Sequence, residues 1–148
     1  MDSVRLIVTL KGAPVPVDIT GHGRTLSRIL FDGREIPSAV VPDDLKRLGR
    51  IHLKLGIPTT PYLNSANALV KAPKYDRDSR KLEFDLQSFR DRVIKVQVIS
   101  PRPNRRISVN GSYINTGITE SKRNGVYRIS LEHRSDFVRD HYSIEFSP

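Results

Sequence analysis

The chain has 148 residues, with no cysteine, no tryptophan, one methionine, and 25 Lys+Arg against 16 Asp+Glu. This length suggests one domain, or two very small ones packed together, with a core of ordinary size, and the missing cysteine excludes a disulfide framework, a thiolate zinc site and thiol catalysis. The formal charge of +9, with 37% hydrophobic residues, describes a basic globular chain and points to a polyanionic partner.

Period-two alternation runs through the chain in order. Val4, Leu6, Val8 and Leu10 alternate with Arg5, Ile7, Thr9 and Lys11, and Val15, Val17 and Ile19 alternate with Pro16, Asp18 and Thr20. Ile51, Leu53 and Leu55 follow, then Leu82, Phe84 and Leu86, then Ile94, Val96 and Val98, and finally Ile129 and Leu131. Successive strand side chains point to opposite faces, so each run has one core face and one wet face. The dipeptides Asp32-Gly33, Asn110-Gly111 and Asn124-Gly125 are hairpin signals, because Asn, Asp and Gly tolerate positive φ. Two short segments read as helix candidates: Pro42 to Gly49, with acids first and cations last, and Ser135 to Asp140. No apolar run nears the roughly 18 residues of a membrane span. Met1 to Arg5 lacks a basic segment before an apolar one, so no signal peptide is expected and a cytoplasmic location is the default.

A self-similarity recurs at a spacing of 78 residues. Arg28-Ile29-Leu30-Phe31-Asp32-Gly33-x-x-Ile36 lines up with Arg106-Ile107-Ser108-Val109-Asn110-Gly111-x-x-Ile114. Val15 to Ile19 precedes the first copy and Ile94 to Val98 the second. Gly49 to Leu55 follows the first copy and Gly125 to Leu131 the second. The expected architecture is an all-β, antiparallel β-sandwich of about ten short strands, one domain over residues 1–148. It is built from two related meander units, residues 4–57 and 80–146, with a proline-bearing crossover at 57–79.

The string Ile19-Thr20-Gly21-x-Gly23-Arg24-x-Leu26-Ser27-Arg28-Ile29-Leu30-Phe31-Asp32-Gly33-Arg34-Glu35-Ile36, continued by Pro37-x-x-Val40-Val41-Pro42 and Ile51 to Leu55, resembles a pattern in accessory β-sandwich domains. Those domains lie C-terminal to the catalytic domains of glycoside hydrolases and related carbohydrate-active enzymes. The second copy, Val96-x-Val98-Ile99-Ser100-Pro101 to Asn110-Gly111, is similar to the same theme. The resemblance implies a non-catalytic module, its partner the catalytic domain of a larger enzyme, with polysaccharide as a weak further contact. It implies no cofactor and carries over no catalytic residue.

Sugar recognition by a β-module needs exposed aromatic faces. Of Tyr62, Tyr75, Tyr113, Tyr127 and Tyr142, the turn-rich positions of Tyr75 and Tyr113 make them the carbohydrate candidates. The alternative function, binding of nucleic acid or another polyanion, would rest on Arg102, Arg105, Arg106, Lys122 and Arg123. The set Glu132, His133, Asp136, Asp140 and His141 has the residue types of a metal site, but Arg134 and Arg139 interrupt it. It reads as a charged loop between strands, so no metal is assigned. His22 between Gly21 and Gly23 is a turn residue, and His52 an ordinary strand residue.

Overall fold

The computed structural model describes residues 3–45 and 47–148. The chain is all-β, a set of packed, mainly antiparallel sheets as the alternation requires. The described residues form fourteen strands, more than the ten expected, because short hairpin arms and edge strands carry little sequence signal. In chain order they are β1 Ser3–Leu10, β2 Ala13–Gly21, β3 Leu26–Phe31, β4 Arg34–Glu35, β5 Ile51–Leu55, β6 Tyr62–Ala66 and β7 Leu69–Asp76. The remainder are β8 Lys81–Gln87, β9 Val93–Ser100, β10 Asn104–Val109, β11 Ser112–Ile114, β12 Ile118–Arg123, β13 Val126–Arg134 and β14 Arg139–Phe146.

Neither helix candidate is helical among the described residues. Pro42 to Gly49 contains only a tight turn at Asp43-Asp44, and its Lys46 lies outside the described residues. Asp136 to Val138 is a bend and Arg139 already opens β14. In both cases a few favourable end residues surround a segment too short to nucleate a helix.

The strands form three sheets: a first sheet β1-β2-β5-β3-β4, a middle sheet β12-β13-β9-β6 and a third sheet β11-β10-β14-β8-β7. The main core lies between the middle and third sheets. It joins Ile94, Val96 and Val98 of β9, Ile129 and Leu131 of β13, Leu82, Phe84 and Leu86 of β8, and Tyr142, Ile144 and Phe146 of β14. Cross-strand register places Tyr142 beside Phe84, and their rings stack at 5.4 Å with planes 11° apart. A second core gathers Val15, Val17, Ile29, Phe31 and Ile51 of the first sheet against Tyr62, Ile99 and Val126 of the middle sheet. The middle sheet therefore buries side chains on both faces, whereas Lys95 on the uncovered part of its outer face stays exposed. Residues 37–39 stitch the units together along the free edge of β6. Leu63 N donates to Pro37 O at 2.9 Å, and Ala39 N donates to Leu63 O at 2.8 Å.

Four hairpins turn on two residues with positive φ: Lys11-Gly12, Asp32-Gly33, Asn110-Gly111 and Asn124-Gly125. This is the turn geometry that matches strand twist. Asp32 and Asn110 also do equivalent work. Asp32 N donates to Arg50 O at 2.9 Å, while Asp32 Oδ1 accepts from Arg50 N at 2.8 Å. Asn110 N donates to His141 O at 2.8 Å, while Asn110 Oδ1 accepts from His141 N at 2.8 Å. The 78-residue self-similarity is thus structural in the hairpins β3–β4 and β10–β11. The neighbours differ from the sequence alignment. In the second copy β14 takes the place of β5, and β8 that of β2, while β9 and β13 belong to the middle sheet. Within the first sheet, β5 inserts between β2 and β3 and pairs with β2 in parallel, so strand order is not simply up and down.

The buried polar side chains Ser38, Ser100, Ser135 and Asp140 all have hydrogen-bond partners. Among the described residues, Tyr142 Oη is the buried side-chain polar atom without one. Burial raises the Tyr142 phenol well above its ordinary range. Removing an unsatisfied buried group relieves a desolvation cost. Tyr142→Phe is expected to be neutral to about 1 kcal/mol stabilising, raising Tm by a few degrees in a thermal melt. Asp32→Ala loses two accepted bonds and strains a φ of 51°, so a loss of about 1–3 kcal/mol is expected in urea unfolding. Asp32→Asn keeps the accepting oxygen and should recover most of it.

Candidate binding clefts and charged faces

The outer face of the third sheet carries a ladder of opposite charges. Alternation puts Glu83 and Asp85 of β8 beside His141 and Arg139 of β14. His141 Nδ1 lies 2.6 Å from Asp85 Oδ1, and its Nε2 lies 3.3 Å from Glu83 Oε1. Arg139 reaches Asp85 Oδ2 at 2.7 Å, and Arg106 Nε donates to Glu145 Oε2 at 2.6 Å. The hydrogen bond that His141 donates to Asp85 raises its pKa against its partial burial, with Glu83 adding to it. Burial would raise the Asp85 carboxyl, but the bonds from His141 and Arg139 outweigh it and hold the group below its usual range.

The residues of the metal-like set are dispersed by this arrangement. His133 packs edge-on against Tyr142 at 6.2 Å. Asp140 accepts from Asn110 Nδ2 at 2.8 Å and from the Ser135 hydroxyl. His141 faces the opposite side of β14, among the acids of the ladder. Among the described residues no group of three or more His, Asp and Glu could hold a metal ion.

The two carbohydrate candidates fall on opposite edges of the third sheet, Tyr113 on β11 and Tyr75 on β7. They cannot serve one site. Tyr113 is exposed, with the Arg106 guanidinium 5.0 Å from its ring centroid. Tyr75 is half-buried, packs edge-on against Phe146 at 6.5 Å, and has its hydroxyl pKa raised by burial. Its strand meets the β3–β4 hairpin across a cleft of about 380 Å³. Polar groups from three segments converge there: Ser27, Arg28 and Glu35 of the hairpin arms, Thr60 before β6, and Arg77 after β7. Arg28 and Glu35 form a loose pair at 3.5 Å across the hairpin.

The five polyanion candidates do not form one surface. Arg106 is engaged by Glu145 and Tyr113. Lys122 lies over the Tyr127 ring at 5.3 Å, as their direct cross-strand register dictates. Arg102 and Arg105 flank Asn104, whose N and Nδ2 both donate to Glu120 Oε1. Arg123 lines a cleft of about 610 Å³, where it meets Arg24 and Arg128. Sequence reasoning did not connect those three arginines, because the β2–β3 loop and the β12–β13 hairpin come together only through the packing of the first sheet on the middle one.

An apolar cluster is exposed elsewhere. Leu69, Phe89 and Val138 are each open to solvent and line one cleft with Arg90 and Arg92, and Phe137, next to Val138 in the chain, is exposed as well. The bond from Ser88 N to Val138 O, at 2.9 Å, holds the two loops of this cluster together.

Comparison with protein-family models, with curated proteins and with solved structures finds no match.

The charged ladder sets a pH dependence. The raised His141 pKa means that its contribution to stability is complete below about pH 6.5 and is lost as pH rises through the folded-state value. The lowered Asp85 pKa means that its contribution is present above about pH 4 and is lost on acidification. The stability difference between wild type and His141→Gln, measured by urea unfolding, should be greatest between about pH 4 and 6.5 and shrink above neutrality.

Proposed function

We propose that this chain is a non-catalytic accessory module of a carbohydrate-active enzyme, and that it holds a glycan weakly in the Tyr75 cleft. The observation that supports this reading is the composition of that cleft. A tyrosine ring sits among a mixed set of donors and acceptors, Ser27, Arg28, Glu35, Thr60 and Arg77, drawn from separate segments of the fold. Sugars present hydroxyls that both donate and accept, together with an apolar ring face. A site for them needs this pairing of an aromatic surface with polar groups of both kinds. The small volume and the half-burial of Tyr75 suit one or two sugar residues and an affinity in the weak range. The catalytic domain of a parent or partner enzyme would cover the apolar cluster of Leu69, Phe89, Phe137 and Val138. Arg90 and Arg92 at its rim favour a partner whose own apolar surface is edged by acids.

The test is NMR titration of the chain with a panel of neutral oligosaccharides. Saturable shifts centred on the Tyr75 cleft are expected from at least one glycan. Tyr75→Ala should weaken that binding about tenfold, while Tyr113→Ala, on the far edge of the sheet, should leave it unchanged. Absence of a saturable shift with every glycan would overturn the glycan-binding reading.

A further inference from the structure

The cleft between the first sheet and the β12–β13 hairpin has a different chemistry from the Tyr75 cleft. Arg24 enters it from the β2–β3 loop, and Arg123 and Arg128 enter from either side of the Asn124-Gly125 turn. Among the described residues no aspartate or glutamate lines it. None of the three arginines forms an ion pair with a described residue. Arg5, Arg106 and Arg139, by contrast, each lie against an acid, Asp18, Glu145 and Asp85 respectively. Three like charges held in one concavity repel each other, and the potential they create there is focused by the low-dielectric walls.

The walls are rigid. Gly56 N donates to Thr25 O at 2.9 Å, and Thr25 Oγ1 donates to Gly56 O at 2.7 Å, so the loop bearing Arg24 is clamped to the end of β5. A side chain at Gly21 would come within 2.4 Å of Leu55 O, so only glycine allows the loop to lie this close. On the other side, the two-residue turn fixes the register of Arg123 and Arg128. Guanidinium groups present planar forks of N–H donors that match the oxygens of phosphate and sulfate. At the rim, Ile57 is 72% exposed, an apolar surface against which the carbon skeleton of a ligand would rest. The cleft, at about 610 Å³, is much larger than one tetrahedral ion.

We infer that this cleft binds a sulfate or phosphate ester, its oxyanion held by Arg24, Arg123 and Arg128 and its sugar-sized alcohol portion against Ile57. This does not rest on the reading of the Tyr75 cleft, since the two clefts share no lining residue.

The experiment is calorimetric titration of the chain with glucose 6-sulfate and glucose 6-phosphate, at ionic strength held constant with sodium chloride, with glucose as the neutral control. At least one ester should bind saturably and glucose should not. Arg24→Gln with Arg123→Gln should weaken the ester at least tenfold. Arg105→Gln, which removes an exposed charge outside the cleft, should leave it within a factor of two. Arg128→Lys keeps the charge but loses the fork, and should fall between them. The esters also distinguish the oxyanion. Above the second ionisation of the phosphate ester, near pH 6, that ester is a dianion and the sulfate ester a monoanion, so their affinities at one pH and matched ionic strength tell the two apart. Failure of both esters to bind would overturn the inference, as would an equal loss in Arg105→Gln and the double variant. Circular dichroism of each variant separates lost binding from lost fold. Binding of neutral glycans at Tyr75 is read independently, so either proposal can fail alone.

Discussion

The two-sided burial of β9 is the constraint around which the other layers are arranged. Its side chains Ile94, Val96 and Val98 face the third sheet, and Ile99, one position on, faces the first. A strand that alternates strictly can satisfy only one core. By placing apolar residues at two successive positions near its end, β9 takes part in both. The first sheet docks over that end alone, so the remainder of the same face stays wet at Lys95 and Gln97. Both clefts described above lie along the margin of this partial overlap. A sheet that covered the whole face would leave no such margin.

The net charge of +9 has two physical fates. On the outer face of the third sheet, period-two alternation sets cations and acids side by side, and most of the charge there is neutralised locally. Such exposed pairs contribute modestly to stability, but they leave little field. Along the seam between the first sheet and the other two the balance fails. Arg24, Arg28, Arg34, Lys74, Arg77, Arg123 and Arg128 all line the two clefts, against Glu35 as the one acid among the described lining residues. The charge that looks evenly spread along the chain is gathered in space by the packing of its layers.

The class of fold was legible because alternation is a local property. Leu82-Phe84-Leu86 and Ile94-Val96-Val98 declare their buried faces without reference to anything distant. Asp32-Gly33 and Asn110-Gly111 declare their turns in the same way, although Lys11-Gly12 shows that a turn of the same geometry can form without Asp or Asn. The neighbours of each strand were not legible. The parallel pairing of β2 with β5, and the substitution of β14 for β13 in the second repeat, depend on which apolar faces find one another after the hairpins have formed. The clue to the third layer was present in the adjacent apolar residues Val98 and Ile99, which a strand with one wet face does not need. Tyr75 and Tyr113 share a residue type and a turn-rich setting, so only the sheet order separates them. Arg123 could be singled out from sequence, but its companions Arg24 and Arg128 could not. Arg24 lies about a hundred residues away, and Arg128 reads as one more wet position in an alternating strand.

The unequal sharing of β9 also gives the molecule an order of opening. The core between the middle and third sheets draws on long strands from both, whereas the first sheet is held by Tyr62, Ile99, Val126, the stitch at residues 37–39 and the bonds that Asp43 and Asp44 make to β7. Such a layer forms a cooperative unit of lower local stability. Its amides are therefore expected to exchange first, with β8, β9 and β14 protected longer. Because the Tyr75 and arginine clefts each have one wall on that layer, any ligand spanning either seam acts as a clasp. It raises the free energy of peeling the first sheet away by its own binding energy, so occupancy would be visible as slowed exchange in strands the ligand never touches.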